Sequence, residues 1–495
     1  MKAWITHGFD KIVADMPAPE KLEKSITLFF TKGGKGGCHV VVNSDVDTKV
    51  SLKAVLPEGV KCKLYSEDHI HEIKGHLYVD PIVPYDGEVL SVKAGISLPF
   101  YVDLEAESAG DHTVSLVLCD AEGNVLETLN ANIHVWNFAL PTEKTFATSV
   151  GINRWHIQRF EPEEDSHKSY YDLLLEDNIC GHTIPYDLLD ERADAYMSDP
   201  KVTSFVIGLW EAGGWDDERI LKYYNKIKSN PVWFKKALFY VIDEPSNEEA
   251  LAKYKDLCAR FARLCPGIGL IAPFYTNKKM GEKMDQVDAM APSTVLWCPR
   301  LDLWDESHSY TPFLDYTPEK GFGERFKDFQ KRGDTVWSYV CNDPISPYAQ
   351  MFIDTDGLVH RLMIWQHFQR DLSGFLYWGT TSWGYHGNDG VNPWETAYNG
   401  VADGKGKPVY GEGFYMYPGA AIGRPGAIGS IRMKILRDAL DDIELLTLAK
   451  KYLGREWVME KVDEATPTLT TYTTPERFVE IRKEIGDALE AVIAK

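Results

Sequence analysis

Positive charge is scarce in this chain. Lys and Arg total 53 against 74 Asp and Glu, a formal net charge of −21. Such a surface repels nucleic acid and anionic bilayers, so neither is expected as a partner. No run of about 18 apolar residues occurs, so no membrane insertion is expected. The opening MKAWITHGFD has no basic stretch leading into an apolar one, so no secretory signal is visible and a cytoplasmic location is expected. The eight cysteines (38, 62, 119, 180, 258, 265, 298 and 341) form no CxxC pair. Reduced thiols acting as small apolar side chains are expected, not a disulfide framework or a zinc site. HExxH is missing, and no cluster of metal-ligating residues stands out. GGKGG at 33–37 has no GK[ST] and no helix after it, so it reads as a hairpin turn rather than a phosphate cradle. No cofactor is implied.

Aromatic residues, by contrast, are plentiful, with 14 Trp and 25 Tyr. They fill cores, and they also stack on the apolar C–H faces of sugar rings. Hydrophobic residues at 44% and charged residues at 26% fit a globular chain whose 495 residues allow two or three domains. Up to about residue 140 the sequence offers short β-rich runs, among them SITLFF, HVVVNS, KVSLKAVL, VKCKLYS, FYVDLEAE, HTVSLVL and NIHVW. In HTVSLVL, alternation puts Val114, Leu116 and Leu118 on one face. Runs at this spacing predict an N-terminal antiparallel β-sandwich over residues 1–143.

From 144 the texture changes to strand-like runs alternating with helical ones. Eight strand-like runs are present: 147–155, 181–188, 203–210, 237–245, 269–276, 293–301, 335–343 and 374–383. Between them Leu251, Tyr254, Cys258 and Phe261, and later Leu358, Leu362, Trp365 and Phe368, recur near the helical period. This alternation predicts a (β/α)8 TIM-type barrel over 144–453. A doubly wound open sheet is the alternative, without a glycine-rich phosphate loop to support it. Residues 454–495 are expected to form a helical extension packed on the barrel.

The fourth run, ALFYVIDEPSNEEA, ends in two adjacent acids, Asp243 and Glu244, then Pro245. Ser246 and Glu249 have the S-x-x-E spacing of a capping box, so a helix is expected just beyond. Barrel chemistry sits at the C-terminal ends of strands. Adjacent strand residues face opposite ways, so both acids reach one pocket only if the backbone kinks there. The bland alternative is an ion pair for one acid and a helix cap for the other. As a catalyst, one buried acid with a raised pKa protonates a leaving glycosidic oxygen. A bond-flanking second carboxylate would have to come from another strand, and Asp343 at the end of the seventh run is the candidate.

These motifs resemble glycoside hydrolase family 123, the retaining β-N-acetylgalactosaminidases, and related barrel proteins of unassigned function. The likeness spans DPIVPYDG and AGISLPFYVDLEAESAGDHTVSLVL, FYVIDEP, GFLYWGTTSWG with NPW, and above all GEGFYMYPG…GSIRMKILRDALDDIELL. Glu412 stands where the family usually has Asp, and Asn392 where Asp-Pro-Trp is common. The resemblance implies a substrate-assisted mechanism. The substrate's 2-acetamido oxygen attacks the anomeric carbon, Glu244 acts as acid and base, and Asp243 holds the acetamido N–H. It implies removal of a terminal N-acetyl-β-hexosamine, GalNAc first, from a glycan partner. The alternatives are a two-carboxylate glycosidase using Glu244 and Asp343 on a sugar without an acetamido group, and a non-catalytic glycan-binding barrel.

Further substrate-binding residues are expected at the strand ends. Arg154 closes the first run, Trp210 the third, Tyr275 the fifth, Trp297 and Arg300 the sixth. Tyr339 and Asn342 belong to the seventh, Trp378 and Trp383 to the eighth, and His386 and Trp394 to the loop beyond. Singly, each aromatic is more often plain core; as a set at strand ends they are more informative. Alternation allows Trp378 to lie deep in the barrel. The sequence leaves the oligomeric state open.

Overall fold

The computed structural model describes residues 1–275, 286–305, 321–384 and 390–493. The protein is a mixed α/β chain with an N-terminal β-sheet region and a C-terminal part of parallel strands and helices. Among the described residues no helix is long and apolar enough to cross a membrane, and all eight cysteines are free.

The N-terminal strands form two facing sheets. One has five strands: Ser25–Thr31, Val125–Trp136, Gly110–Cys119, Thr48–Val55 and Leu90–Val92, in that order. Val114, Leu116 and Leu118 point inward from it, fully buried against Val40, Phe100 and Val102 of the other sheet. The expected alternation is therefore present, and burial of these branched and aromatic side chains stabilises the pair of sheets. Two expectations need correction. The sandwich is not wholly antiparallel, because Ser25–Thr31 runs parallel to Val125–Trp136. GGKGG is not a hairpin either. The strands on its two sides lie in different sheets, joined at Gly33 with φ +70°. Only a residue without a side chain takes that turn cheaply. A side chain at Gly36 would lie 2.6 Å from the Phe30 ring.

The facing sheet has seven strands, and two come from far along the chain. Its order is Lys2–His7, Gly34–Asn43, Leu98–Ala106, Val60–Ser66, Pro81–Pro84, Ala427–Ser430, Tyr417–Pro418. The YPG…GSIR segment thus completes a sheet begun by the N-terminus. Helix Ile431–Leu453 follows directly and is bound to the sheet by buried ion pairs. Arg432 Nε and Nη2 each meet an Asp80 oxygen at 2.7 Å. Arg437 reaches Asp103 at 2.6 Å, while Lys434 ties the helix to the end of helix Ser166–Glu176, reaching both oxygens of Asp177 at 3.0 Å. Burial alone would raise the Asp80 carboxyl, but the Arg432 guanidinium more than reverses this and holds it below its usual range.

The parallel strands pair with neighbours in chain order, except that the first pairs with the last. Ala147–Val150 pairs with Gly374–Tyr377, which pairs with Ser338–Tyr339. Phe205–Gly208, Ala237–Tyr240 and Gly269–Ile271 form a second set, and Pro273–Phe274, Leu296–Pro299 and Thr335–Val336 a third. The second expected strand is reduced to one bridge, Gly181 with Val150. His182 N donates to Val150 O, and Val206 N to His182 O, both at 2.7 Å. Pro185, lacking an N–H, cannot prolong that ladder. Inward side chains of these strands, including Leu238, Ile271, Cys298, Tyr339 and Leu376, share a small cluster distinct from the large one beneath the helices.

The helical residues read from the sequence are buried as expected in Glu248–Leu264 and Gly357–Gln369. The latter is not amphipathic in place: His360, Gln366 and His367 are buried too. Helices Ile431–Leu453 and Arg455–Ala465 cover its polar side, with Arg361 Nε on Asp442 at 2.7 Å and Gln366 on Thr466 at 3.1 Å.

Candidate active site

The strand Ala237–Tyr240 stops before the acid pair, with Val241 and Ile242 between them. Glu244 has φ +39°, a left-handed backbone that a side-chain-bearing residue adopts at a cost of about 1–3 kcal/mol. This is the kink that a shared pocket requires. Asn247, not Ser246, caps the following helix, accepting from Ala250 N at 2.8 Å. The loop is further held by Gln286 Nε2, which donates to Pro245 O at 2.7 Å. Both acids line one cavity of about 150 Å³, with Tyr240, Pro273, Tyr339, Cys341, Asn342, Leu376, Trp378, Val401 and Glu412.

Each acid has a tyrosine. Tyr240 OH donates to Asp243 Oδ1 at 2.8 Å, and Tyr339 OH donates to Glu244 Oε1 at 2.5 Å. Asp243 is exposed to solvent, yet the protein crowded around its carboxyl raises its pKa, with the Tyr240 hydrogen bond opposing. Burial pushes Glu244 up to about 7. The Tyr339 hydroxyl and the Arg300 guanidinium pull it down, and Asp243 adds to the rise. Arg300 is locked on Asp302, Nε to Oδ1 at 2.7 Å and Nη2 to Oδ2 at 2.9 Å. It therefore acts on Glu244 as a fixed positive field rather than a direct partner. Tyr275 lies under that guanidinium, 5.4 Å from it to the ring centroid.

A larger cleft of about 680 Å³ adjoins this cavity and shares Trp378 with it. Arg154, Tyr186, Trp210, Trp215 and Arg219 are among its walls. Trp210 is 55% exposed, and its ring stands edge-on to Tyr240 at 5.6 Å.

Residues 275–449 match the family model "Glycoside hydrolase 123, catalytic domain". That stretch has the sequence of a glycoside hydrolase 123 catalytic domain. The match begins beyond Asp243 and Glu244 and ends within helix Ile431–Leu453. Over its whole length the chain also superposes on a family 123 glycoside hydrolase from Clostridium perfringens, with a TM-score of 0.66 and 12% identity. The superposition covers 99% of this chain and 98% of that one, which establishes a common fold. The N-terminal domain of PorA aligns with 28% of this chain and all of its own, at 14% identity and a TM-score of 0.18. An MSP family member from C. elegans, WR4, aligns with 22% of this chain and 91% of its own, at 8% identity and a TM-score of 0.15. No curated protein sequence matches the chain.

In this glycoside hydrolase, Tyr275 and Arg300 apart, the expected site residues that are described fall to the cavity, the cleft or the core. Tyr339, Asn342 and Trp378 line the cavity with the acids, and Arg154 and Trp210 line the adjoining cleft. Arg154 begins helix Arg154–Phe160 instead of ending a strand, because Asn153 caps that helix by accepting from His156 N. Three tryptophans are core, against expectation. Trp297 is fully buried, donates to Asp334 at 2.8 Å and stacks on Phe329 at 4.5 Å. Its neighbour Cys298 takes the inward face, so alternation sends Trp297 to the helices. Trp383 donates to Met416 O at 2.9 Å and meets Phe160 edge-on at 5.4 Å. Trp394 donates to Pro418 O at 2.8 Å and packs on His69 at 4.9 Å, beside the seven-stranded sheet. His386 lies outside the described residues.

Asp343 is not among the cavity-lining residues, and its Oδ2 accepts from Gly404 N at 2.7 Å. Among the described residues no group of three His, Cys, Asp or Glu could hold a metal ion. Sequence reasoning missed Tyr240, Cys341 and Glu412. Glu412 carried a signal, a lone acid between two glycines in the segment most like the family.

Proposed function

We propose that this glycoside hydrolase removes a terminal N-acetyl-β-hexosamine, with GalNAc the leading choice, by a retaining, substrate-assisted mechanism. Asp243 and Glu244 are its catalytic pair, at the mouth of a (β/α)8 barrel closed by the parallel strands. Glu244 donates its proton to the glycosidic oxygen as the acetamido oxygen attacks the anomeric carbon. The bond to the leaving group breaks and an oxazoline-type ring forms. Asp243, with Oδ1 engaged by Tyr240, accepts the acetamido N–H on its other oxygen and stabilises the developing positive charge. Glu244 then takes a proton from water, which attacks the same carbon from the vacated side. The configuration is retained without an enzyme nucleophile, the recognised exception to the two-carboxylate scheme.

One observation carries this reading: adjacent acids share one small cavity through a left-handed residue at Glu244. Neighbours in sequence cannot flank a bond from both sides, but they can grip an acetamido group and a leaving oxygen on one side. A Glu244 pKa near 7 suits a group that must give and then take a proton near neutrality. Asp343, held by Gly404 N–H and outside the cavity lining, gives the two-carboxylate alternative little support. The adjoining cleft has the size of a ligand site, roughly 300–1,000 Å³. Its exposed Trp210 suits the rest of the glycan on the leaving-group side. The Clostridium perfringens enzyme is described as hydrolysing glycolipid glycans, and we propose a glycolipid headgroup as the substrate here too.

A panel of nitrophenyl glycosides with and without the N-acetyl group tests the proposal. Turnover confined to N-acetyl-β-hexosaminides, with inhibition by a thiazoline mimic of the intermediate, is expected. Trapping of a covalent glycosyl-enzyme by a fluorosugar would refute it.

A further inference from the structure

Glu412 is a carboxyl that the mechanism above does not use. It is fully buried, yet it borders the cavity of Asp243 and Glu244. Its Oε2 accepts from Tyr377 OH at 2.6 Å, and its Oε1 accepts from the Trp378 indole N–H. The backbone around it is built for this contact. Gly411 and Gly413 both have φ +75°, and a Cβ on Gly413 would lie 2.2 Å from the Trp378 ring. The chain therefore lies flat on the indole, with no room for a side chain there. Tyr377 OH also accepts from Gly413 N at 2.9 Å. Asn399 Nδ2 donates to Glu412 O and Arg432 Nη1 to Gly411 O, each at 2.7 Å. The segment is thus fixed on several sides, and what it presents to the indole N–H is a Glu412 carboxyl oxygen.

Trp378 is the wall common to the small cavity and the large cleft. An indole N–H can only donate, so the orientation of that ring depends on an acceptor. We propose that Glu412 is a positioning residue: by holding the Trp378 N–H it fixes the wall that seats the sugar to be cleaved against Glu244. This rests on the reading that the cavity of Asp243 and Glu244 is the catalytic one. Tyr377 and Trp378 hydrogen-bond Glu412, and Cys341, Tyr415, Arg432 and Asp343 act on it electrostatically. Arg432 is committed to Asp80 and to backbone carbonyls.

The test uses the full chain and whichever nitrophenyl glycoside the wild type cleaves fastest, so failure of the sugar assignment is read separately. Glu412→Ala, Glu412→Gln, Trp378→Phe and Glu412→Ala/Trp378→Phe are compared by kcat, KM and thermal unfolding. Misplacing a wall by about an ångström costs up to roughly 10²-fold. A loss of about that size in kcat/KM is expected for Glu412→Ala and for Trp378→Phe, with no further loss in the double variant. Glu412→Gln should recover most of it, since its amide oxygen still accepts the indole N–H and its amide N–H can donate to the Tyr377 hydroxyl oxygen. Three results would overturn the proposal. The first is a folded Glu412→Ala enzyme with wild-type kcat/KM. The second is full activity in Trp378→Phe, which would make any role of Glu412 a direct one on the sugar. The third is losses that multiply in the double variant. Should Glu412→Ala fail to fold, Trp378→Phe and Glu412→Gln decide the matter alone.

Discussion

Tyr339 OH lies 2.5 Å from Glu244 Oε1, joining the end of one parallel strand to the kinked residue beyond another. The contact opposes the burial that raises the Glu244 pKa. It therefore sets how readily this acid keeps its proton near neutrality.

Removing that hydroxyl should shift the pH profile. Under the proposed mechanism the free enzyme needs protonated Glu244, so kcat/KM of the wild type should fall as pH rises through about 7. In Tyr339→Phe the opposing hydrogen bond is gone, and the falling limb should move to higher pH. A limb that stays in place or moves down would detach Tyr339 from the titration.

The acids themselves should separate by leaving group. Glu244→Gln should lose about 10²–10⁴-fold on substrates with poor leaving groups, the usual worth of a general acid. It should lose much less on activated aryl glycosides. Asp243→Asn should be damaged on both, because the proposed mechanism gives it the acetamido group, not the leaving oxygen. Steady-state kinetics on a matched pair of substrates checks this.

Stability should carry the mark of the same buried carboxyls. Glu244 and Glu412 both titrate near 7 in the folded chain against an ordinary 4.5. Between those values the folded state holds protons that the unfolded state has released. These groups therefore lower stability as pH rises from about 4.5 to 7. Thermal unfolding of Glu244→Gln across that window should show a shallower fall than the wild type.

The Asp80–Arg432 pair should be costly to break by halves. Both side chains are fully buried, so Arg432→Met strands a carboxylate and should cost about 3–5 kcal/mol. Replacing both partners with apolar residues should cost less than either single change, and chemical denaturation of the three variants measures it.

Trp210→Ala should discriminate by substrate length. It should raise KM for a trisaccharide while leaving a nitrophenyl monosaccharide nearly unaffected, since the cleft lies beyond the cavity that holds the acids.

Much of this was legible in the sequence because it depends on local pattern. Alternation in HTVSLVL located an inward face, and helical spacing located Leu251 through Phe261. The run of two acids and a proline after a strand called for a kink, found at Glu244. What escaped depends on partners far away in sequence. Trp297 and Trp383 at strand ends, and Trp394 on the loop beyond, look like site tryptophans until Asp334, Met416 and Pro418 supply their acceptors. Periodicity cannot tell the inward face of a short strand from the outward one when both are apolar. GGKGG looked like a hairpin because a turn's residues do not say which sheet receives the next strand. Glu412 was hidden for a similar reason: its value comes from Tyr377 and Trp378, which are adjacent in sequence to each other but not to it.

Strands Tyr417–Pro418 and Ala427–Ser430 sit in the same sheet as the first residues of the chain. A cut near residue 143 would therefore not release a self-sufficient catalytic fragment. It would strip Ala427–Ser430 of its neighbour Pro81–Pro84 and leave Arg432, Lys434 and Arg437 buried without the carboxylates of Asp80 and Asp103. Anyone trimming this hydrolase for expression should keep both ends, because the two halves of the sequence are stitched into one unit that stands or falls together.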